Sequence, residues 1–189
     1  YDIIAKDFAN TRVFTWTWTD EFMKNIPKYS TILDIGCGNG RNLFYKNMIM
    51  YGMDLSVEQL KNFPDGTKHR IQANMTSIPF CNNSFDYILV IASFHHLATI
   101  TERKQALLEM HRVLTRGGKI LLSVWSITQP KKTKRTFTKY GDTVVYWKNI
   151  PRYYYIFSLN ELQQLLQEYF VIESHKWDCG NEIFTLYKK

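Results

Sequence analysis

The chain has 189 residues, 45% hydrophobic and 22% charged, a balance that excludes a disordered chain and allows one ordinary domain with a full core over 1–189. Its three cysteines, Cys37, Cys81 and Cys179, are an odd number without a close pair, so neither a disulfide framework nor a metal site is expected, and the reading is a reducing, cytoplasmic setting. A formal net charge of +7 points to a polyanionic partner, because Lys and Arg gain affinity by releasing counterions from phosphates; no run reaches the roughly 18 apolar residues of a membrane span, and no signal-peptide pattern follows Tyr1.

Residues 1–28 are aromatic-rich and predict a helical cap in two pieces, near 1–10 and 18–26, with Pro27 ending the second. Thr31 to Ile35 reads as a short buried strand, followed at once by glycines. A second strand over 49–54 ends on Asp54. Ser56 caps a helix over 57–63, and Pro64-Asp65-Gly66 is a turn. His69 to Ala73 is a third strand. The run 85–92 is a fourth, apolar enough to lie centrally in a parallel sheet. Residues 101–114 place Ala106, Leu107, Met110, Val113 and Leu114 on one helical face, with Gly117-Gly118 as the stop. Lys119 to Trp125 is a fifth strand. Residues 126–157 break the rhythm, as an excursion on the substrate side that carries a basic loop. Ser158 and Glu161 form a capping box for a helix to about 168, and strands near 170–177 and 182–188 close the chain as a hairpin. The alternation predicts an α/β, doubly wound sheet with an antiparallel hairpin at its end.

In an open parallel sheet, ligands bind beyond the carboxyl ends of the strands, where the strand order reverses. The first strand ends in Asp34-Ile35-Gly36-Cys37-Gly38-Asn39-Gly40, where glycines let the backbone approach a ligand. A dinucleotide fingerprint needs a third glycine at position 41, which is Arg41. Asp54 ends the second strand, where a carboxylate accepts ribose hydroxyls. Asn74 and Met75 follow the third strand, and an amide there can still accept from an exocyclic amine.

The G-x-G-x-G spacing, with Ile78-Pro79-Phe80, Asn83 to Asp86 and Arg112 to Lys119, resembles the class I S-adenosylmethionine-dependent methyltransferases. That resemblance implies a Rossmann-like, mostly parallel seven-stranded sheet and S-adenosyl-L-methionine as cofactor. It implies cofactor contacts from Asp34, Gly36, Cys37, Gly38, Gly40, Asp54, Leu55, Asn74, Met75 and Ile91. Thr11-Arg12, the run Ile91 to Leu97 with His95 and His96, Ser123-Val124-Trp125, Arg152 to Phe157 and the tail Trp177 to Asn181 are, in this order, similar to the tRNA methyltransferases that esterify 5-carboxymethyluridine at the anticodon wobble position. Where that family tends to carry a proline-containing segment after Thr-Arg, this chain reads Val13-Phe14-Thr15-Trp16, the helix after the glycine loop is short, and Asn74 stands where an acid is usual.

The resemblance implies a tRNA anticodon stem-loop as substrate, with Arg12, His95, His96, Trp125 and Arg152 at the acceptor. A carboxylate acceptor is ionised near neutral pH and needs no strong general base. Guanidinium groups at Arg12 and Arg152 suit a carboxylate or phosphates, and Trp125 suits stacking on a flipped-out base. One histidine of the pair is expected to face the substrate, with His95 favoured. Lys131-Lys132-Thr133-Lys134-Arg135, with Lys139 beyond, reads as a phosphate-gripping loop. The family also implies a small zinc-binding activator protein, pairing with the exposed edge of the third strand near Ile71. The rival readings are a methyltransferase of the same fold acting on a small molecule or a protein, and a catalytically silent tRNA-binding module.

Overall fold

The computed structural model describes residues 2–11, 14–63, 69–131, 133 and 136–189. A seven-stranded sheet is built from β1 (Thr31–Ile35), β2 (Ile49–Asp54), β3 (Arg70–Gln72), β4 (Phe85–Ile91), β5 (Leu114–Trp125), β8 (Val171–Asp178) and β9 (Asn181–Tyr187), in the order β3-β2-β1-β4-β5-β9-β8. The first five run parallel, and β9 is antiparallel to both β5 and β8. The order reverses between β1 and β4, which defines the crevice where ligands bind. The fold is the expected α/β, Rossmann-like sheet with its terminal hairpin.

Alternation along β1 shows how two apolar layers form on the two faces. Ile32 turns toward Trp18 and Met23 of α2 (Thr17–Lys24) and Leu60 of α3 (Val57–Lys61). Leu33 and Ile35 turn to the opposite layer, with Ala106, Leu107 and Met110 of α4 (Ile100–Val113) and Leu162 and Leu166 of α5 (Leu159–Gln167).

Several local expectations are corrected. The N-terminal cap begins as a 3-10 turn, Asp2–Ile4, before α1 (Ala5–Asn10). Between β1 and β2 the chain makes only turns, where a crossover helix is usual. Gly117-Gly118 does not stop α4, whose last residue is Val113. Leu114 turns extended (φ −75°, ψ 136°), and both glycines lie inside β5. Lys188 secures that junction, its Nζ donating to the carbonyls of His111 and Leu114, both at 2.6 Å. The box at Ser158 is half formed: its Oγ accepts from Glu161 N–H, while Glu161 accepts from Tyr155 OH at 2.6 Å. A complete capping box occurs at Thr99 and Glu102 instead.

The excursion 126–157 contains a second, two-stranded sheet, β6 (Gly141–Trp147) paired antiparallel with β7 (Ile150–Ile156). This hairpin packs Tyr154 and Ile156 against Trp125 at the carboxyl end of β5. It therefore stands over the crevice. No helix among the described residues is long and apolar enough to cross a membrane.

Candidate active site

A cavity of about 390 Å³ opens at the carboxyl ends of β1, β2, β4 and β5. Its floor is the glycine loop. Gly36 has φ +72°, and a Cβ there would stand 2.3 Å from Ser93 Cβ, so only glycine fits. Ser93 Oγ in turn donates to Ile35 O at 2.8 Å, stitching β1 to the end of β4. At Gly38 (φ +57°) the nearest atom to such a Cβ is Gln59 Oε1 at 3.9 Å, an ordinary van der Waals contact, so the constraint there is conformational rather than steric. Asp54 holds this geometry. Its carboxylate accepts from Gly38 N–H and Ser56 N–H, each at 2.8 Å, and burial raises its pKa.

Of the predicted cofactor residues, Gly36, Cys37, Gly38, Asp54, Leu55, Asn74, Met75 and Ile91 line the cavity. Asp34 and Gly40 do not. Asp34 is fully buried beneath the loop, where Asn42 Nδ2 donates to its Oδ2 at 3.2 Å and burial lifts its pKa to about 7. Gly40 packs under Phe63, a Cβ there standing 3.0 Å from the ring. The cradle fits an adenosyl group, with a glycine backbone beside a carboxylate at the end of β2 and with Met75 and Asn74 in the same lining, the Asn74 Oδ1 accepting from Thr76 N–H at 3.1 Å and keeping a second lone pair for a ligand.

At the far end, the wall is His96, Trp125 and Tyr154 with Cys179, Gly180 and Asn181 of the terminal hairpin. The 3-10 turn Phe94–His96 separates the two histidines, and the favoured one is not the one in the cavity. His95 lies behind it with no exposed surface, its Nδ1 accepting from Trp125 N–H at 3.1 Å. His96 lines the cavity and donates from Nδ1 to Tyr153 O at 2.9 Å. Burial lowers its pKa to about 4, so the ring is neutral at physiological pH. Tyr154 stacks on Trp125 with centroids 4.3 Å apart and planes 12° from parallel, fixing one aromatic plane.

Arg152 is buried and does not line the cavity; its guanidinium lies 5.2 Å from the centroid of the Tyr154 ring and 5.5 Å from that of Trp147. Arg12 lies outside the described residues, as do Lys132, Lys134, Arg135 and the turn Pro64-Asp65-Gly66. Sequence reasoning missed Arg103, which is buried, donates to Leu97 O and Ala98 O, and stacks 3.5 Å from the Tyr155 centroid. It ties the segment after His96 to β7. Gln59 was missed as well, because a single amide in a short helix carries no spacing signal, and Asn181 was noted only as the end of the tail Trp177 to Asn181, with no role at the site.

The Methyltransferase domain family matches residues 33–122. A candidate methyltransferase of Encephalitozoon cuniculi is 34% identical over 175 residues, covering 87% of this chain and 81% of that protein. The tRNA (carboxymethyluridine(34)-5-O)-methyltransferase of Schizosaccharomyces pombe is 32% identical over 194 residues, covering 88% of this chain and 84% of the relative. The namesake from Xenopus tropicalis is 37% identical over 145 residues, 76% of this chain but 23% of that longer protein. Among solved structures, a SAM-dependent methyltransferase of Methanosarcina mazei superposes with a TM-score of 0.75 at 20% identity, covering 93% of this chain and 98% of the other. A complex of the Haloferax volcanii Trm112 methyltransferase activator with a candidate methyltransferase gives 0.71 at 15% identity, covering 98% and 96%.

Proposed function

Because the chain belongs to the class I S-adenosylmethionine-dependent methyltransferases, we propose that it is the tRNA methyltransferase that converts the carboxylate of 5-carboxymethyluridine at the wobble position into its methyl ester. The observation that carries this reading is one continuous cavity, running from the glycine loop to the His96, Trp125 and Tyr154 wall, in a chain whose relative of matching length bears that name. We read the whole of 1–189 as one methyltransferase unit.

When bound, S-adenosylmethionine supplies an electrophilic methyl group on a positively charged sulfur. In this reading the chain's own residues hold and orient. Asp54 takes the ribose, Asn74 and Met75 take the adenine, and the floor from Gly36 to Gly38 supplies close backbone contact. The acceptor carboxylate arrives ionised, so no residue has to remove a proton from it. Neutral His96 is a hydrogen-bonding wall rather than a cation or a base. The Trp125 plane offers stacking to the uracil, and Arg152, one layer behind Tyr154, together with Arg12, supplies positive potential for the carboxylate. Rate acceleration comes from alignment of the reacting groups in a site shielded from water.

The anticodon stem-loop is gripped by the basic segment Lys131 to Lys139. A small zinc-binding activator pairs with β3, a three-residue strand at the sheet edge with Ile71 half-buried. The Haloferax volcanii complex, in which a chain of this fold is held with a methyltransferase activator, supports an activator partner, and the choice of edge rests on β3 alone. Unpaired cysteines among the described residues accord with a cytoplasmic protein.

The test is nucleoside mass spectrometry of tRNA incubated with the protein, the activator and cofactor. The expected result is loss of 5-carboxymethyluridine and gain of its methyl ester. Persistence of the free acid while the protein binds cofactor would discard the acceptor assignment.

A further inference from the structure

Gln59 sits in the first turns of α3, five residues after Asp54, and lines the cofactor end of the cavity. It is 1% exposed, yet neither its Nε2 nor its Oε1 has a hydrogen-bond partner among the described residues. Its backbone N–H is satisfied by Ser56 Oγ at 3.2 Å, so the helix cap explains the main chain and leaves the side chain unexplained. A buried amide left without partners costs stability, and an apolar side chain of similar shape would not. The neighbours of Gln59 in the apolar layer, Leu60 and Phe63, are of that kind. Beyond Gly38 and its chain neighbours, Gln59 Oε1 is the described atom within 4 Å of the place where a Cβ on Gly38 would stand, at 3.9 Å, which sets the amide beside the glycine loop at the cofactor end of the cavity.

We propose that Gln59 is a cofactor-binding residue whose amide pairs with a ribose hydroxyl of the adenosyl group, beside Asp54. An amide offers a donor and an acceptor from one group, and a hydroxyl is a donor and an acceptor as well. Asp54 can only accept while ionised. Gln59 therefore supplies the donor that the carboxylate lacks, so that the ribose edge is read from both sides. The amide is poorly satisfied in the free protein and becomes satisfied on binding, which makes it a source of affinity that is absent from the empty fold. The inference rests on the cofactor assignment and is independent of the acceptor.

The test compares the full chain with Gln59→Met, close in volume and apolar, and with Gln59→Leu in case the first fails to fold. Calorimetry with S-adenosylhomocysteine is expected to show affinity falling about tenfold, the scale of one hydrogen bond to a buried partner. Thermal unfolding of the cofactor-free variants is expected at an equal or higher temperature than wild type, because an unsatisfied amide has been removed. A purely structural amide would move the melting temperature down. Unchanged affinity in a folded variant overturns the proposal. If affinity and melting temperature both fall, the 2′- and 3′-deoxy analogues decide. A loss on deleting one hydroxyl that is smaller in the variant than in wild type supports the contact, and equal losses for both hydroxyls overturn it.

Discussion

At the scale of single residues, two buried titratable groups pull stability in opposite directions with pH. Burial raises Asp34 from 3.8 to about 7, so the folded state holds its proton more tightly than the unfolded chain. Its contribution is complete below about pH 4 and is lost as pH rises through 7. Asp34→Asn keeps an acceptor for Asn42 and removes the titration. Unfolding followed from pH 4 to 8 is expected to show the variant gaining on wild type throughout that window and ending more stable at pH 8. His96 behaves oppositely, since burial lowers it from 6.5 to about 4. Its contribution is present above 6.5 and is lost as pH falls through 4. Ring NMR is expected to show His96 neutral at pH 5.5, and a protonated ring at that pH would refute the buried, uncharged wall.

The glycine loop separates conformational from steric constraint. Gly38→Ala meets no close atom and carries only the strain of φ +57°, about 1–2 kcal/mol. Gly36→Ala adds a 2.3 Å clash with Ser93 and is expected to cost about 3 kcal/mol or more in denaturant unfolding. The Gly36-Cys37-Gly38 turn was legible because glycine at such spacing announces its backbone need. Which histidine faces the cavity was not legible. The 3-10 turn at 94–96 rotates one side chain under the wall and the other into it, and no sequence period records a single turn.

At the scale of elements, the strands that form the sheet were legible because β1, β4 and β5 are apolar runs bounded by breakers. The end of α4 was misread. Two glycines outweighed Leu114 as a stop signal, yet the helix ends earlier, where Lys188 from beyond β9 caps the carbonyls of His111 and Leu114. That cap is a contact across more than seventy residues and is invisible to local reading. Lys188→Met leaves both carbonyls without this donor and also removes a bond to Asn83 Oδ1. The expected cost is about 2 kcal/mol, read as a lower denaturant midpoint at unchanged slope. The β6–β7 hairpin escaped notice for a related reason. Its strand signal, Thr143 to Trp147, is short and two-sided, and it becomes informative only once Tyr154 is seen packed on Trp125.

At the scale of the whole molecule, the strand order and the cavity at its reversal point follow from the alternation of elements, and both were readable. The connection between β1 and β2 was legible only in part, as a shortened helix, because the roughly thirteen residues there can span it as turns alone. The net charge of +7 acts at this scale too. Neutralising Lys131, Lys132, Lys134 and Arg135 is expected to weaken tRNA binding and to flatten the dependence of affinity on salt, since each phosphate contact contributes close to one unit of slope. A filter-binding titration with an unchanged slope would remove the loop from the RNA interface.

The central claim is that the cavity presents a carboxylate on tRNA to the cofactor's methyl group. The most direct measurement follows the isotopically labelled methyl group from cofactor into tRNA, and then through mild alkali. A methyl ester releases its label as methanol, so nearly all of the incorporated label is predicted to become volatile. Label that stays on the nucleoside through that treatment would place the methyl on a base or ribose atom and contradict the account.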